Sequence, residues 1–364
     1  MKYCSLSVLL VCFASLFISC KKQSTKPPTT PPVVVPPAEI PAPVVYAGYN
    51  LLWNDEFNGA GIDAQKWSFE TGTGVNGDFG TGQLDRATDR SENIKIENSV
   101  PNAGGGCLAI ITRKETFLDR NYTSARLTSS GKGAWGPGTR IEARIWARDV
   151  RYKGQGFAFW MMPAETPSGQ TYIMWPQGGE IDIMEYVGAI PFHNLGSVHY
   201  AWAWENNQYQ SWNHGHKGAY YSYADAQVPA NNPGFGGWPS NISDSAAGNN
   251  NFHLYRIDWF TERMEFSIDN RVYHIHYFKD GAAFNNAADG QDQDATQLID
   301  GKRVMKSEYS NHFAEWSPFE HKFFLLFTAG VGGNDNLTYG GAIDANAVFP
   351  CSTFIDWVRV YQRL

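Results

Sequence analysis

Two stretches, Arg140-Ile141-Glu142-Ala143-Arg144-Ile145-Trp146 and Phe354-Ile355-Asp356-Trp357-Val358-Arg359-Val360-Tyr361, alternate polar and apolar residues with a period of two. That period puts successive side chains on opposite faces of an extended strand, so one face can be buried while the other stays wet. Leu108–Thr112 and Tyr255–Trp259 are further strand signals, and Met264–Ile268 and Arg271–Ile275, split only by Asp269-Asn270, read as a hairpin. Long helical periodicity is almost absent, no internal repeat is found, and Gly/Asn/Pro-rich loops separate the strand segments. The expectation is an all-β chain folded as an antiparallel β-sandwich in one body, residues 46–364. Within it the polar, irregular stretch 281–311 reads as a long surface insertion.

The first 45 residues differ from that body. Lys2 precedes an apolar run, Leu9 to Ile18, that is short for a mature membrane span and ends in Phe17-Ile18-Ser19-Cys20. It resembles a bacterial lipoprotein signal, residues 1–19, with Cys20 as the lipidated first residue; an ordinary secretory signal or short anchor is the alternative. Residues 20–45, with eight prolines among Thr, Val and Lys, read as an extended tether. The expected location is outside the cytoplasm, lipid-anchored to the bacterial cell envelope on the outer membrane, facing the periplasm or the surface. Cys107 and Cys351 then remain in an oxidising compartment, where a disulfide is open.

Composition narrows the function classes. With 18% charged and 15% aromatic residues, the chain has enough apolar surface to fold. A net charge of −7 argues against a nucleic-acid partner. The 13 Trp and 18 Tyr suit flat neutral ligands such as sugar rings, although the same residues make good core.

The chemistry is concentrated in Trp175-Pro176-Gln177-Gly178-Gly179-Glu180-Ile181-Asp182-Ile183-Met184-Glu185-Tyr186-Val187-Gly188. In a regular strand Glu180 and Asp182 share one face and Ile181 and Ile183 the other, and Glu185 falls on the wrong side. A β-bulge near Met184 returns Glu185 to the acidic face, and bulges cluster beside active sites. The glutamates then stand roughly 13 Å apart along the strand. Retaining glycosidases need about 5–5.5 Å between carboxyl groups, a gap that inward-leaning Glu side chains could close. Three neighbouring carboxylates cannot all ionise freely, so at least one keeps its proton towards neutral pH and can serve as a general acid. The alternative is a solvated acidic strand, which leaves the flanking Gly178-Gly179 and Trp175 unexplained.

Glu180-Ile181-Asp182-Ile183-Met184-Glu185 resembles the active-site signature of glycoside hydrolase family 16, and its flanks resemble the laminarinase-like (endo-1,3-β-glucanase) branch. Further blocks follow in the family's order: Trp53–Phe57, Tyr122–Leu127, Gly156–Trp160, Phe252–Trp259, Val331–Asn334 and Ile355–Tyr361. The resemblance implies a concanavalin-like jelly roll with a concave groove, an endo-acting retaining β-glycanase, and a polysaccharide or oligosaccharide substrate, most simply β-1,3-glucan. It implies Glu180 as nucleophile, Glu185 as acid/base and Asp182 as the residue tuning their charge. Trp160 and Trp175 would be stacking platforms or core, and Arg126, His199 and Asn334 would line the groove, with His199 equally readable as structural. Trp202 and Trp204 would extend subsites or pack. No cofactor is implied for catalysis; a structural calcium would sit at Asp356 with backbone oxygens near Glu56 and Gly106. Asp289, Asp292 and Asp294 lack the glycine and terminal glutamate of an EF-hand, and neither His214/His216 nor His274/His276 has a third zinc ligand at useful spacing. A monomer is expected. Gln83-Leu84-Asp85-Arg86-Ala87-Thr88 departs from the branch pattern, which leaves an endo-β-galactosidase or agarase-like hydrolase as an alternative. A non-catalytic carbohydrate-binding lipoprotein is the alternative from another class.

Overall fold

Alternating strands with one apolar face need a second layer to cover that face, and two sheets supply it. The computed structural model describes residues 43–167, 170–171, 173, 175–190, 192–201, 204–205, 208–209, 214–223, 251–278, 297–306, 316–333 and 340–364. The signal segment, nearly all of the tether, Trp202, Asn334 and Asp289, Asp292 and Asp294 lie outside them. Among the described residues one sheet has seven strands, in the spatial order His214–Ser222, His193–Ala201, Glu180–Val187, Gln155–Pro163, Phe323–Val331, Arg126–Thr128 and Ser68–Phe69. Facing it is a twelve-stranded sheet whose middle is built from His253–Trp259, Thr139–Trp146 and Cys351–Arg363. Among the described residues pairing is antiparallel apart from two short parallel contacts, one of them Lys302–Lys306 against Arg271–Tyr277.

The alternation in Thr139–Trp146 works as its sequence requires. Ile141, Ala143 and Ile145 are sealed in the core, where they join Ile257 and Trp259 from the neighbouring strand and Phe157, Phe159 and Met161 from the facing sheet. Each such large apolar side chain contributes about 1.5–3 kcal/mol when removed from water. The polar face of the same strand is organised by ion pairs: Arg140 donates to both oxygens of Asp258, and Glu142 accepts from the buried Arg256. The jelly roll is therefore a sandwich with one shared core.

One expectation needs amending and one open question is answered. The stretch 281–311 is not all irregular: Gln297–Ile299 and Lys302–Lys306 form a hairpin on the edge of the large sheet, turned by Asp300 and Gly301, both at positive φ. Asp-Gly is a strong two-residue turn signal, and Val304 and Met305 are buried, so the segment carried strand information beneath its polar composition. Cys107 and Cys351 are both buried free thiols. Cys351 pairs across the sheet with Thr112, five positions along the strand from Cys107, or roughly 17 Å at strand rise. No disulfide spans that distance.

Candidate active site

The strand Glu180–Val187 lies inside the seven-stranded sheet, and its entry is shaped by two glycines. Gly179 has φ +85°, and a Cβ there would meet Pro318 and Phe323 at 2.8 and 3.0 Å; one on Gly178 would press on Pro163 and Ile173. Only bare backbone passes this corner and still delivers Glu180 to the open face.

The bulge is present where the acids require it. Against Gln155–Pro163, Asp182 pairs with Trp160 and Met184 with the adjacent Phe159, so Ile183 is the extra residue; Glu185 then pairs with Ala158. The register with His193–Ala201 shifts at the same place, between Asp182 and Glu185. Ile181, Ile183 and Met184 all sink into the core, and the acids stay on the opposite face. Glu180 and Glu185 are half-buried and Asp182 is sealed.

Cross-strand register supplies the partners. Glu180 lies opposite His199 and Asp182 opposite Ser197. His199 Nε2 is 3.3 Å from Asp182 Oδ2, and the nearest polar atoms of Glu180, Asp182 and His199 all fall within 4.8 Å of one another. Ser197 Oγ is 2.7 Å from Asp182 Oδ2 and 3.2 Å from Glu185 Oε2. Trp175 Nε1 donates to Glu180 Oε2 at 2.7 Å, and its half-exposed indole ring lies 5.7 Å from the His199 ring. Burial first, and then the charge of Asp182, hold the carboxyl groups of both Glu180 and Glu185 well above the usual carboxylate range. The Trp175 N–H and Arg126 pull Glu180 the other way, and His199 and the Ser197 hydroxyl do so for Glu185. Two crowded glutamates that cannot ionise together leave one protonated while the other is an anion, which is what acid and nucleophilic chemistry in one site requires.

Further out, Trp160 is fixed by a 2.9 Å bond from its Nε1 to Thr328 Oγ1. Arg126 is buried: its Nε donates to Glu70 at 3.0 Å, and its guanidinium lies between the rings of Phe79 and Trp160 at 4.2 and 5.4 Å. Phe79 and Glu70, like Ser197, escaped the sequence reading. Ser197 was within reach of it, since alternation places it on the same strand face as His199.

A model of the family described as Glycosyl hydrolases family 16 matches residues 86–288. The chain belongs to glycosyl hydrolases family 16. This family 16 glycoside hydrolase is 30% identical over 319 residues to a beta-glucanase from Rhodothermus marinus, a match spanning 86% of this chain and 85% of that protein. Among solved structures it resembles the laminarinase catalytic domain from Thermotoga maritima, with 28% identity and TM-score 0.59 over 87% of this chain and 99% of that one. The endo-beta-1,3-glucanase from Pyrococcus furiosus matches with 26% identity and TM-score 0.60, over 87% and 95%.

Of the residues expected around a calcium in this family 16 enzyme, Asp356 and Glu56 line a hollow of about 350 Å³ with Arg144 and Arg359, and Gly106 lies outside its lining. Asp356 Oδ1 accepts from the Gly104 N–H at 2.9 Å, and its other oxygen is paired with Arg144. Arg359 grips both oxygens of Glu56 at 2.9 and 2.7 Å, and the Gly106 N–H donates to Asn58. Each carboxylate is already neutralised by a guanidinium. A calcium held here would draw on Asp356 and on backbone oxygens beside Glu56 and Gly106, since calcium takes carboxylate and carbonyl oxygens alike.

Proposed function

We propose that the protein is an endo-acting, retaining β-glycanase that cuts internal β-1,3-glucosidic bonds of a laminarin-type glucan. The observation that carries this reading is the bulge at Ile183, which returns Glu185 to the face of Glu180 and Asp182. Glu180 attacks the anomeric carbon, and Glu185 gives its proton to the departing glycosidic oxygen. The glycosyl-enzyme ester is then opened by water, from which Glu185 takes a proton back. Asp182, hydrogen-bonded to Glu180, stops the two glutamates from ionising together. Trp175 and Trp160 offer ring faces to the sugar chain, and the printed activities of the relatives support a glucan substrate. Asn334, as a further groove residue, belongs to the same proposal, as do export, attachment to the membrane through lipidated Cys20 and a monomeric state. Cys20→Ser should move the protein out of the detergent phase of a phase-partition assay.

The decisive experiment incubates the protein with laminarin, mixed-linkage glucan, agarose and poly-N-acetyllactosamine and measures new reducing ends. NMR at early times reports the anomer released. Cleavage of laminarin with β-product first supports the proposal. Cleavage of only the galactose-containing chains would move the substrate, α-product first would overturn retention, and no cleavage at all would overturn the enzyme.

A further inference from the structure

Cross-strand register carries the catalytic face sideways. Glu185 pairs with Ala158, Ala158 with Thr328 and Thr328 with Arg126, so all four side chains share the open face. Arg126 therefore stands three strands from the catalytic one, roughly 14 Å across the groove floor. Glu70 takes its Nε, and the rings of Phe79 and Trp160 cover its two faces. Among the described residues its terminal nitrogens have no hydrogen-bond partner and are not sealed, so the edge they form is left for a ligand. Two unused N–H edges in a fixed plane suit neighbouring hydroxyl oxygens of a sugar ring.

Phe79 belongs to the loop that runs into Gln83-Leu84-Asp85-Arg86-Ala87-Thr88, the segment that departs from the branch pattern. That departure has a structural use. Asp85 is sealed: one oxygen accepts the Val331 N–H at 2.7 Å, and the other accepts from the Ser124 hydroxyl. The Leu84 N–H donates to the Val331 carbonyl at 2.9 Å. These bonds pin the end of the loop to Phe323–Val331, the strand paired with Arg126–Thr128. Within the loop Phe79 has φ +54°, a region bulky residues rarely enter, and its N–H closes on the Thr73 carbonyl at 2.8 Å. Gly74 is bare where a Cβ would run into the Phe79 ring. A loop that holds one half-buried ring in a strained position, with a glycine left bare to admit it, is built around that ring.

We propose that Phe79 is a specificity-determining residue of the groove: it clamps Arg126 against Trp160, so that the guanidinium edge binds a sugar unit remote from the bond being cut. The role rests on the reading of the protein as a laminarin-type endo-glycanase. A chain long enough to reach Arg126 gains affinity there and a short one does not, which favours the interior of a polymer over small fragments.

The test measures kcat and KM on β-1,3-linked gluco-oligosaccharides of increasing length, for the full chain and for Phe79→Ala and Phe79→Tyr. In the wild type kcat/KM should step up at the added unit that reaches Arg126. Phe79→Ala should remove that step, raising KM by about tenfold on the longer chains. Its kcat should stay within about twofold, as loss of uniform binding requires, and shorter chains should react as before. Phe79→Tyr, which keeps the ring, should keep the step. In an Arg126→Met background Phe79→Ala should do nothing further, and a second full loss there would overturn action through Arg126. A wild type without a step, a step that survives Phe79→Ala, or equal losses at every length would overturn the role. A wild type that cuts neither these chains nor laminarin would instead overturn the proposed function, and this role with it.

Discussion

Trp175→Phe isolates one hydrogen bond in the site. The substitution keeps an aromatic face beside His199 and removes only the N–H that reaches Glu180 Oε2 at 2.7 Å. A hydrogen bond to a charged group contributes about 1.5–3 kcal/mol, and because the indole is 47% exposed, water competes and the lower end applies, about 1.5 kcal/mol. That energy stabilises the anion of Glu180 and not its protonated form. Divided by about 1.4 kcal/mol per unit, its loss raises the Glu180 pKa by about one unit. Glu180 must be ionised to attack, so the acid limb of kcat/KM should move up by about one pH unit. The plateau value should change only a few-fold, and well below the wild-type limb the variant should be slower by about tenfold. Stopped assays on laminarin between pH 3 and 9, with Trp175→Ala as the variant lacking the ring, provide the measurement. An acid limb that stays in place while KM alone rises would refute the reasoning and leave Trp175 as a sugar platform.

Three further outcomes follow from the same contacts. Glu180→Gln should lose at least about 10⁴-fold in turnover, by analogy with removal of other covalent nucleophiles, while its melting temperature holds or rises because a repelled, buried charge is gone; retained activity would displace Glu180 as nucleophile. Arg144→Ala should lower stability by about 2 kcal/mol by taking the guanidinium from Asp356, and an unchanged melting temperature would contradict the paired geometry. Burial pushes His274 down to about 3, against the opposing pull of the Gly196 carbonyl, so it stays neutral in the folded state and charges on unfolding. The unfolded chain therefore binds the extra proton below about 6.5, and stability should fall by up to about 1.4 kcal/mol per unit as pH drops towards 3. In denaturant titrations His274→Gln should flatten that slope, and an unaltered slope would assign the acid sensitivity elsewhere.

What could be read in the sequence was what depends on neighbours along the chain. Alternation located the strands, and a simple conflict, Glu185 on the wrong face, predicted the bulge that the register contains. Asp269-Asn270 turned the expected hairpin, both at positive φ, while the equally clear Asp300-Gly301 was hidden by a polar setting. Contacts made across strands were out of reach. Ser197 meets Asp182 only because two strands pair in one register, and Arg126 is sealed by Phe79 from a distant loop. The partners of Asp356 and Glu56 were hidden for a related reason: the arginines that pair with them come from other places in the chain.

The single surplus residue at Ile183 makes the catalytic strand a matter of parity. Removing or adding one residue between Asp182 and Glu185 exchanges inside for outside at every position that follows, sending Glu185 towards the core and Tyr186 towards water. A change of two residues restores the correct side but moves the acid along the strand by roughly 7 Å, beyond reach of its partner. The site therefore tolerates alteration of side chains better than alteration of their number in this segment. Variation in chain length, whether by evolution or by engineering, has to be absorbed in the connections flanking the strand, where it can reshape the ends of the groove without disturbing the count that holds the acids together.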